Sequence, residues 1–483
     1  MLFNSWGYLL FLILLVPLHW ALPHRWRLTL LAVGSLTFYC LWRWEFALLM
    51  VFSAGVDFIA ARRMVATRES ALRRRWLWCS LIINLFLLMF FKYTYFIYDN
   101  IQMASSMAGA ELPDLGLRII LPLGISFYTF QTISYTIDIY RGVQKPTQRF
   151  SAFLVYVTFW PQLIAGPILR AGEVLPQLLR ERMFNLEDFN KGLLLILAGL
   201  VKKVVLADSI APLVDSAFAS DANTLTAFDI WVAAFLFGFQ IYFDFSGYSD
   251  IAIGSGRMMG IHFPSNFNWP YLAVTPRDFW KRWHISLSAW IRDYLYLPLT
   301  GQSFRTESRD GIAVAAENQS RKLFGALFLT WLIMGFWHGA DWTFAVWGLY
   351  HAGVIALFRL AKPLNEFCTA HPCIAWPGMI CLIMAGWIPF RAHDIGQMGE
   401  LWITLLSPWE YTLQNRSLSG VHYLMASTLT IGMLATWACK RLSVEDHLPW
   451  PAMATIQILV VATTVFLVLT LLRPIRQFIY FQF

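Results

Sequence analysis

Two histidines stand where a histidine needs a reason. His338 lies in TWLIMGFWHGADWTFAVWGLYH (330–351), a stretch apolar enough for lipid, between Trp337 and Gly339. His284 lies in TPRDFWKRWHISLSAWIRDYLYLPL (275–299), beside a run of aromatic residues. An unpaired polar group in hydrocarbon costs several kcal/mol, so an imidazole at membrane depth must find a polar partner or a wet cavity. It is either a buried ring bonded to a backbone carbonyl or a group kept for its chemistry. A titratable side chain inside a membrane is a functional candidate by default. His351, further along the same stretch, reads as structural.

A second constellation is YFDFSGYSDIAIGSGRMMG (242–260). Asp244 and Asp250 bracket Ser246, Gly247, Tyr248 and Ser249. Ser246 and Asp250, four residues apart, share a face if the segment is helical. Carboxylates beside an apolar span are costly unless paired or wet. They read either as the polar lining of a substrate tunnel or as an ion-pair network with nearby arginines. Gly254, Gly256 and Gly260 follow as GxGxxxG, without the βαβ context of a dinucleotide loop, and suit close helix packing instead. CTAHPC (368–373) has no CxxC spacing and no second ligand pair, so no metal site is expected there. The other cysteines, Cys40, Cys79, Cys381 and Cys439, lie in or beside apolar segments and read as small hydrophobes.

The elements that must position these residues are membrane helices. Of 483 residues 58% are hydrophobic and only 14% charged, with mean hydropathy +0.54. A soluble domain carries about 25% charged residues. The chain is therefore read as an all-α polytopic membrane protein, one integral domain over 1–483. Apolar stretches recur near 2–20, 28–42, 44–61, 76–98, 117–140, 151–169, 190–210, 226–246, 323–339, 342–360, 374–391, 421–438 and 452–472. Some are short enough to be re-entrant, so roughly eleven spans are expected, plus re-entrant and interfacial helices. FWPQLIAGPILR (159–170), with Pro161, Gly166 and Pro167, is either a broken re-entrant helix or a kinked span.

Within 275–299, Thr275 and Pro276 form an N-cap and N1 pair, with Asp278 in a capping-box-like position. Trp280, Trp283, Leu287, Trp290 and Tyr294 recur at helical spacing, with Lys281, His284, Ser288 and Arg292 on another face. The pattern predicts one amphipathic helix at a membrane interface. The longest polar stretch, 300–322, is expected to be an exposed loop, and 392–420 to lie outside.

The position of the charge matters more than its net value of +8. Arg62, Arg63, Arg68, Arg73, Arg74 and Arg75 crowd one short loop, which the positive-inside rule places in the cytoplasm. Loop 99–116 has no Lys or Arg and is expected outside; the basic loop 141–149 is expected inside again. The first apolar segment has no basic n-region and no A-x-A site, and reads as a retained helix with its N-terminus outside. This charge flanks spans and accompanies no binding motif, so nucleic acid is not an expected partner.

FDFSGYSD, FWKRWHISLSAWIRDYLYLPL, GFWHGADWTFAVWG and the closing FIYFQF resemble the membrane-bound O-acyltransferase (MBOAT) superfamily. LPLGISFYTFQTISYTIDIYRG (121–142) and PQLIAGPILR (161–170) resemble its bacterial branch, typified by the membrane protein of alginate O-acetylation. The resemblance runs from about 120 to 355, the catalytic core it implies, and includes the C-terminal tail. It implies helices around a central tunnel, with His338 at the family's near-invariant histidine and His284 at the second position. His338 would then be the base in acyl transfer, and His284 would orient the acceptor or polarise the thioester carbonyl. Asp244, Ser246, Tyr248, Asp250, Trp283, Ser288, Arg292, Asp293 and Trp337 would line substrate or tunnel. The donor implied is a cytosolic thioester, acetyl-CoA or another, with no bound cofactor and no metal. The implied partners are a periplasmic or membrane-anchored SGNH-type acetyltransferase, a polysaccharide synthesis and secretion complex, and the lipid bilayer. The implied acceptor is an exopolysaccharide of alginate or cellulose type, the alternative being peptidoglycan or teichoic acid. The sequence departs from the family after YLYLPL, where TGQSFRTESRDG replaces a frequent Gly-Gly-Asn segment.

Two readings from other classes compete. A proton-coupled transporter would also bury Asp and His, but no repeated halves are visible and 276–296 is not a spanning helix. A scaffold without turnover would not need both histidines. Acylation of a protein or lipid is a third possibility, inside the family.

Overall fold

With no water to satisfy them, backbone N–H and C=O groups in lipid must bond within their own segment, which for an open chain means helix. The computed structural model follows that rule. It describes residues 3–301, 320–414, 416–441 and 479, and among them there is no strand. Five helices are long and apolar enough to cross a membrane: Trp44–Ala66, Ser70–Met107, Ala227–Met258, Trp342–Leu360 and Pro372–Arg391. Trp6–Ala21, Phe150–Leu163 and Leu323–His338 are shorter apolar stretches. The chain is an all-α polytopic membrane protein.

The expected eleven spans are not reached by the described helices, for local reasons. Candidate 117–140 becomes helix only after Gly124, which has φ +71°. Candidate 151–169 breaks at Phe159 and again at Gly166. Candidate 190–210 carries Lys202 and Lys203 through a π-helical segment, Val201–Ala207. The candidate at 452–472, the expected loop at 302–319 and most of the FIYFQF tail lie outside the described residues. Segment 392–420, expected to lie outside, contains the helix Ile395–Leu406.

Two compact units make up the chain. One comprises Met1–Leu195, Ala252–Asn266 and His284–Gly311; the other comprises Ile196–Ile251, Phe267–Trp283 and Ile312–Phe483. In the first, helices Trp44–Ala66, Ser70–Met107 and Ile125–Tyr140 pack along one another. A polar knot ties them. Asp57, fully buried, accepts from Ser80 Oγ at 2.5 Å and from Asn84 Nδ2 at 2.9 and 3.0 Å. Asn84 Oδ1 in turn accepts from Ser53 Oγ at 2.8 Å and Thr132 Oγ1 at 3.2 Å.

In the second unit, helices Ser320–His338 and Trp342–Leu360 form a tight hairpin. Asp341 caps its second arm, accepting from the Thr343 N–H at 2.8 Å. The arms touch through glycine. A Cβ on Gly348 would meet the Trp331 carbonyl, and the Cα of Gly335 at 3.4 Å. Such close approach through small residues is how helices associate where lipid provides no hydrophobic drive. It also sets where His338, the last residue of the first arm, stands.

The same unit buries a cation. Lys203, 2% exposed, holds Asp244 at 2.6 Å and Asp208 at 2.7 Å. Its neighbour Lys202 holds Asp250 at 2.6 Å. Consecutive side chains on an α-helix diverge by 100° or so. The π-helical segment that carries both lysines departs from that spacing.

Two outcomes follow from this packing. Gly348→Val should force the hairpin apart and cost about 1–3 kcal/mol, read as a lower thermal midpoint of the purified protein; an unchanged midpoint would refute the tight contact. Lys203→Met should cost about 3–5 kcal/mol by leaving carboxylates buried without their cation. The triple change Lys203→Met, Asp208→Asn and Asp244→Asn should recover most of that loss in the same melt.

Candidate active site

His284 is held in a conformation that an L-residue rarely adopts. The helix leading to it, Pro276–Arg282, is capped by Thr275 Oγ1, which accepts the Asp278 N–H at 3.2 Å. The Asp278 carboxylate accepts from Arg282 Nε at 2.8 Å. The helix ends at Trp283, and His284 follows with φ +42°. Left-handed backbone at a non-glycine residue costs of order 1–3 kcal/mol and persists only where the surroundings enforce it.

Asn266 enforces it. Its carbonyl accepts the Ile285 N–H at 2.9 Å, and its Oδ1 accepts the Ser286 N–H at 3.2 Å and the Ser286 hydroxyl at 2.9 Å. Ser286 Oγ then accepts the Ile168 N–H at 2.9 Å. That N–H is free to donate because the segment 159–170 is broken, with short helices on either side of an extended stretch at Gly166. The His284 ring is 1% exposed and lies parallel to Phe127, centroids 6.4 Å apart. Burial pushes its pKa down to about 3, so the imidazole is neutral.

The single amphipathic helix expected over 276–296 is therefore not formed. Helix Pro276–Arg282 gives way to Ile285–Ile291, then to a π-helical turn, Arg292–Tyr296, and a last turn, Leu297–Leu299. The five-residue apolar stripe is split. Trp280 and Trp283 belong to the second unit, Leu287, Trp290 and Tyr294 to the first. The tertiary bonds from Asn266 override the helical periodicity.

Beyond the break, Ser288 donates its N–H to the His284 carbonyl at 3.0 Å. Asp293, 1% exposed, accepts from Arg292 Nε at 2.7 Å and from the Arg170 guanidinium. Trp290 stacks on Phe130 at 3.9 Å, and Tyr294 donates its hydroxyl to Asp138 at 2.7 Å.

His338, 4% exposed, is enclosed by rings of its own unit. Trp337 and Trp347 each lie 4.9 Å from it and Phe390 5.3 Å. Trp347 faces a second imidazole on its other contact, His351, also at 4.9 Å. His351 further touches Trp280 at 5.0 Å and Trp331 at 5.6 Å. Trp387 extends the group, 6.3 Å from Trp347 and 4.9 Å from Trp283.

Buried polar atoms are nearly always paired, and this aromatic group breaks the rule repeatedly. Among the described residues, the indole Nε1 of Trp280, Trp347 and Trp387 and the Nε2 of His351 are buried with no hydrogen-bond partner. Gly386 keeps the space against that imidazole nitrogen open, because a Cβ there would come within 3.0 Å of it. Indole N–H groups only donate. Three of them without a protein acceptor suit a guest that accepts, such as an acyl carbonyl or a hydroxyl oxygen.

Asp244 and Asp250 are brought to lysines rather than to each other, as described above. Asp244 also accepts the Ile479 N–H at 2.6 Å. Ser246 is buried with its Oγ unpartnered among the described residues, and the buried Tyr248 ring lies 5.7 Å from Lys203 Nζ. Gly254 does serve close packing: its carbonyl would lie 2.7 Å from a Cβ on Gly192.

Sequence reasoning passed over several of these residues. Asn266 had no local signal, since its partners are distant in the chain. His351 and the tryptophans at 280, 347 and 387 were visible as residues, but their grouping needs three helices packed together. Asp57 is an intramembrane carboxylate inside a predicted span and could have been singled out on that ground.

The family pattern described as MBOAT, membrane-bound O-acyltransferase family, matches residues 143–386, which include both His284 and His338. The chain is 37% identical over 437 residues to a probable alginate O-acetylase AlgI of Azotobacter vinelandii, covering 89% of this chain and 83% of that protein. It is 36% identical over 439 residues to the protein of the same description in Pseudomonas aeruginosa, covering 90% and 80%. A peptidoglycan O-acetyltransferase of Helicobacter pylori is 36% identical over 395 residues, covering 76% and 71%. The pattern spans just over half of this multi-pass membrane chain and its relatives are O-acetylases: the chain belongs to the membrane-bound O-acyltransferase family.

Proposed function

We propose that this chain takes an acetyl group from a cytosolic thioester, acetyl-CoA, and passes it across the bacterial inner membrane for O-acetylation of an exopolysaccharide of the alginate type. The observation that carries the reading is His338, buried against Trp347, whose indole N–H has no acceptor among the described residues. The relatives named as alginate O-acetylases support the acceptor class.

In the reaction, an acceptor hydroxyl attacks the thioester carbonyl and a neutral imidazole takes its proton, which then leaves with the thiol. His338 fits that base because it is buried against the rings of Trp337, Trp347 and Phe390. Indole donors near it would hold the carbonyl oxygen as charge develops there. His284, neutral and set in a strained turn, positions the acceptor or polarises the carbonyl. The rings exclude water, which would otherwise hydrolyse the thioester. A separate SGNH-type transferase on the outer side, acting with the polysaccharide synthesis complex, completes transfer to the polymer. The relative named as a peptidoglycan O-acetyltransferase supports a second acceptor, the cell wall.

The test is the O-acetyl content of the cell's exopolysaccharide and peptidoglycan in strains carrying wild type, His338→Ala or His284→Ala at equal membrane levels. General-base loss lowers rates by about 10²–10⁴, so His338→Ala should leave almost no acetyl on one polymer. That polymer names the acceptor. Full acetylation of every polymer by the variant would overturn the reading.

A further inference from the structure

The first unit carries a basic recess that the proposed chemistry has not used. It measures about 500 Å³ and is lined by Trp20, Arg180, Arg182, Asn185, Arg257 and His262, with Glu181 and Asp188. That volume lies within the range of small-ligand sites, roughly 300–1,000 Å³. It takes a headgroup or a nucleotide-sized anion, not the face of a protein.

The recess is built, not an accident of loose side chains. Gln177 and His262 grip each other: His262 N–H donates to Gln177 Oε1 at 2.9 Å, and Gln177 Nε2 donates to the His262 carbonyl at 3.0 Å. Arg182 Nη2 donates to the same Oε1 at 3.1 Å. Its Nη1 lies 3.3 Å from His262 Nδ1. A guanidinium can only donate, so Nδ1 accepts and Nε2 carries the proton towards Asp188, 3.2 Å away. Asp188 also accepts from Arg257 Nε at 3.0 Å. Trp20 Nε1 donates to the Met258 carbonyl at 2.9 Å, and Arg27 Nη1 to the Arg182 carbonyl at 2.7 Å. Gly260, at φ +75°, completes the wall; a Cβ there would sit 3.3 Å from Trp20 and 3.4 Å from Arg182.

This framework gathers three arginines, Arg180, Arg182 and Arg257, against two carboxylates, Glu181 and Asp188. Asp188 is taken by Arg257 and His262, and Arg182 bonds Gln177 and His262 and feels the Asp188 carboxylate nearby. The Arg182 Nε is buried and has no acceptor among the described residues. Burial first, and the neighbouring Arg180 charge second, pull the Arg182 guanidinium below its usual pKa. Arg180 stands exposed on the rim. Crowded guanidiniums with spare donors are a phosphate site in chemical terms. The recess also lies on the cytoplasmic side by charge. Arg25 and Arg27 follow the helix Trp6–Ala21, and Arg180 and Arg182 follow Ala171–Leu179, an excess of positive charge of the kind that cytoplasmic loops carry.

We propose that this recess binds a phosphate group on the cytoplasmic face, that of the coenzyme A moiety of the acyl donor, through Arg180 and Arg182. This rests on the thioester reading above. An anionic lipid headgroup offers the same chemistry, and the test separates the two. Binding of coenzyme A is titrated calorimetrically to the full chain in nanodiscs of phosphatidylcholine. A parallel arm mixes the protein with phosphatidylglycerol and counts retained lipid by native mass spectrometry. We expect saturable coenzyme A binding, competed by inorganic pyrophosphate and weakened on the order of tenfold by Arg180→Gln or Arg180→Gln with Arg182→Gln. Arg43→Gln, outside the recess lining, should change nothing. Normal binding in wild type and in both recess variants alike would overturn the site while leaving the donor reading intact. No coenzyme A binding in wild type, with lipid retained by wild type and lost from the variants, would reassign the recess to a lipid phosphate and remove the donor reading. Neither ligand bound would overturn both.

Discussion

Every polar group taken below the membrane surface must find its partner inside the protein. That constraint shapes most of what is seen here. Lys203 is tolerable at 2% exposure because Asp208 and Asp244 meet it on both sides. Asp57 is tolerable because Ser80 and Asn84 donate to it. Asp293 sits between Arg292 and Arg170, and Asp138 accepts the Tyr294 hydroxyl. Among the described residues, the indoles at 280, 347 and 387 and the imidazole at 351 are unpaired and gathered in one aromatic group. Of these, Trp347 touches His338 directly, so an open donor lies beside that imidazole.

Local irregularity recurs at the same places. Val201–Ala207 is π-helical and carries Lys202 and Lys203; Arg292–Tyr296 is π-helical and carries Asp293. Such segments are rare and concentrate at functional sites. His284 adds a left-handed residue, and the stretch around Gly166 adds a broken helix. In each case the departure from regular helix aims a polar group that the regular form would have turned elsewhere. Ile168 can donate to Ser286 only because its own helix is interrupted.

How much was legible in the sequence depended on the range of the interaction. Composition alone marked the membrane class. Pro161, Gly166 and Pro167 marked the broken segment, and Thr275 with Pro276 marked a cap, because these act within a turn of the chain. The two histidines were legible as residues without a cheap explanation. The break at His284 was not, since the strain is held by Asn266 through bonds that no periodicity encodes. Nor were the partners of Asp244 and Asp250. The expectation was arginine nearby; the structure supplies Lys203 and Lys202, some forty residues upstream, from a segment that read as a plain span. The ring cluster at His338 needed helices Trp342–Leu360 and Pro372–Arg391 in register.

The central claim is that His338 moves a proton during acyl transfer, and that its surroundings exist to let it. The most direct measurement is the initial rate of thiol release from acetyl-CoA by the purified chain in nanodiscs, with its acceptor system present, for wild type and His338→Ala. The account predicts a fall of about 10² or more, with an unchanged thermal midpoint. A variant that keeps most of the wild-type rate would contradict it, and would leave His338 as one more well-packed ring.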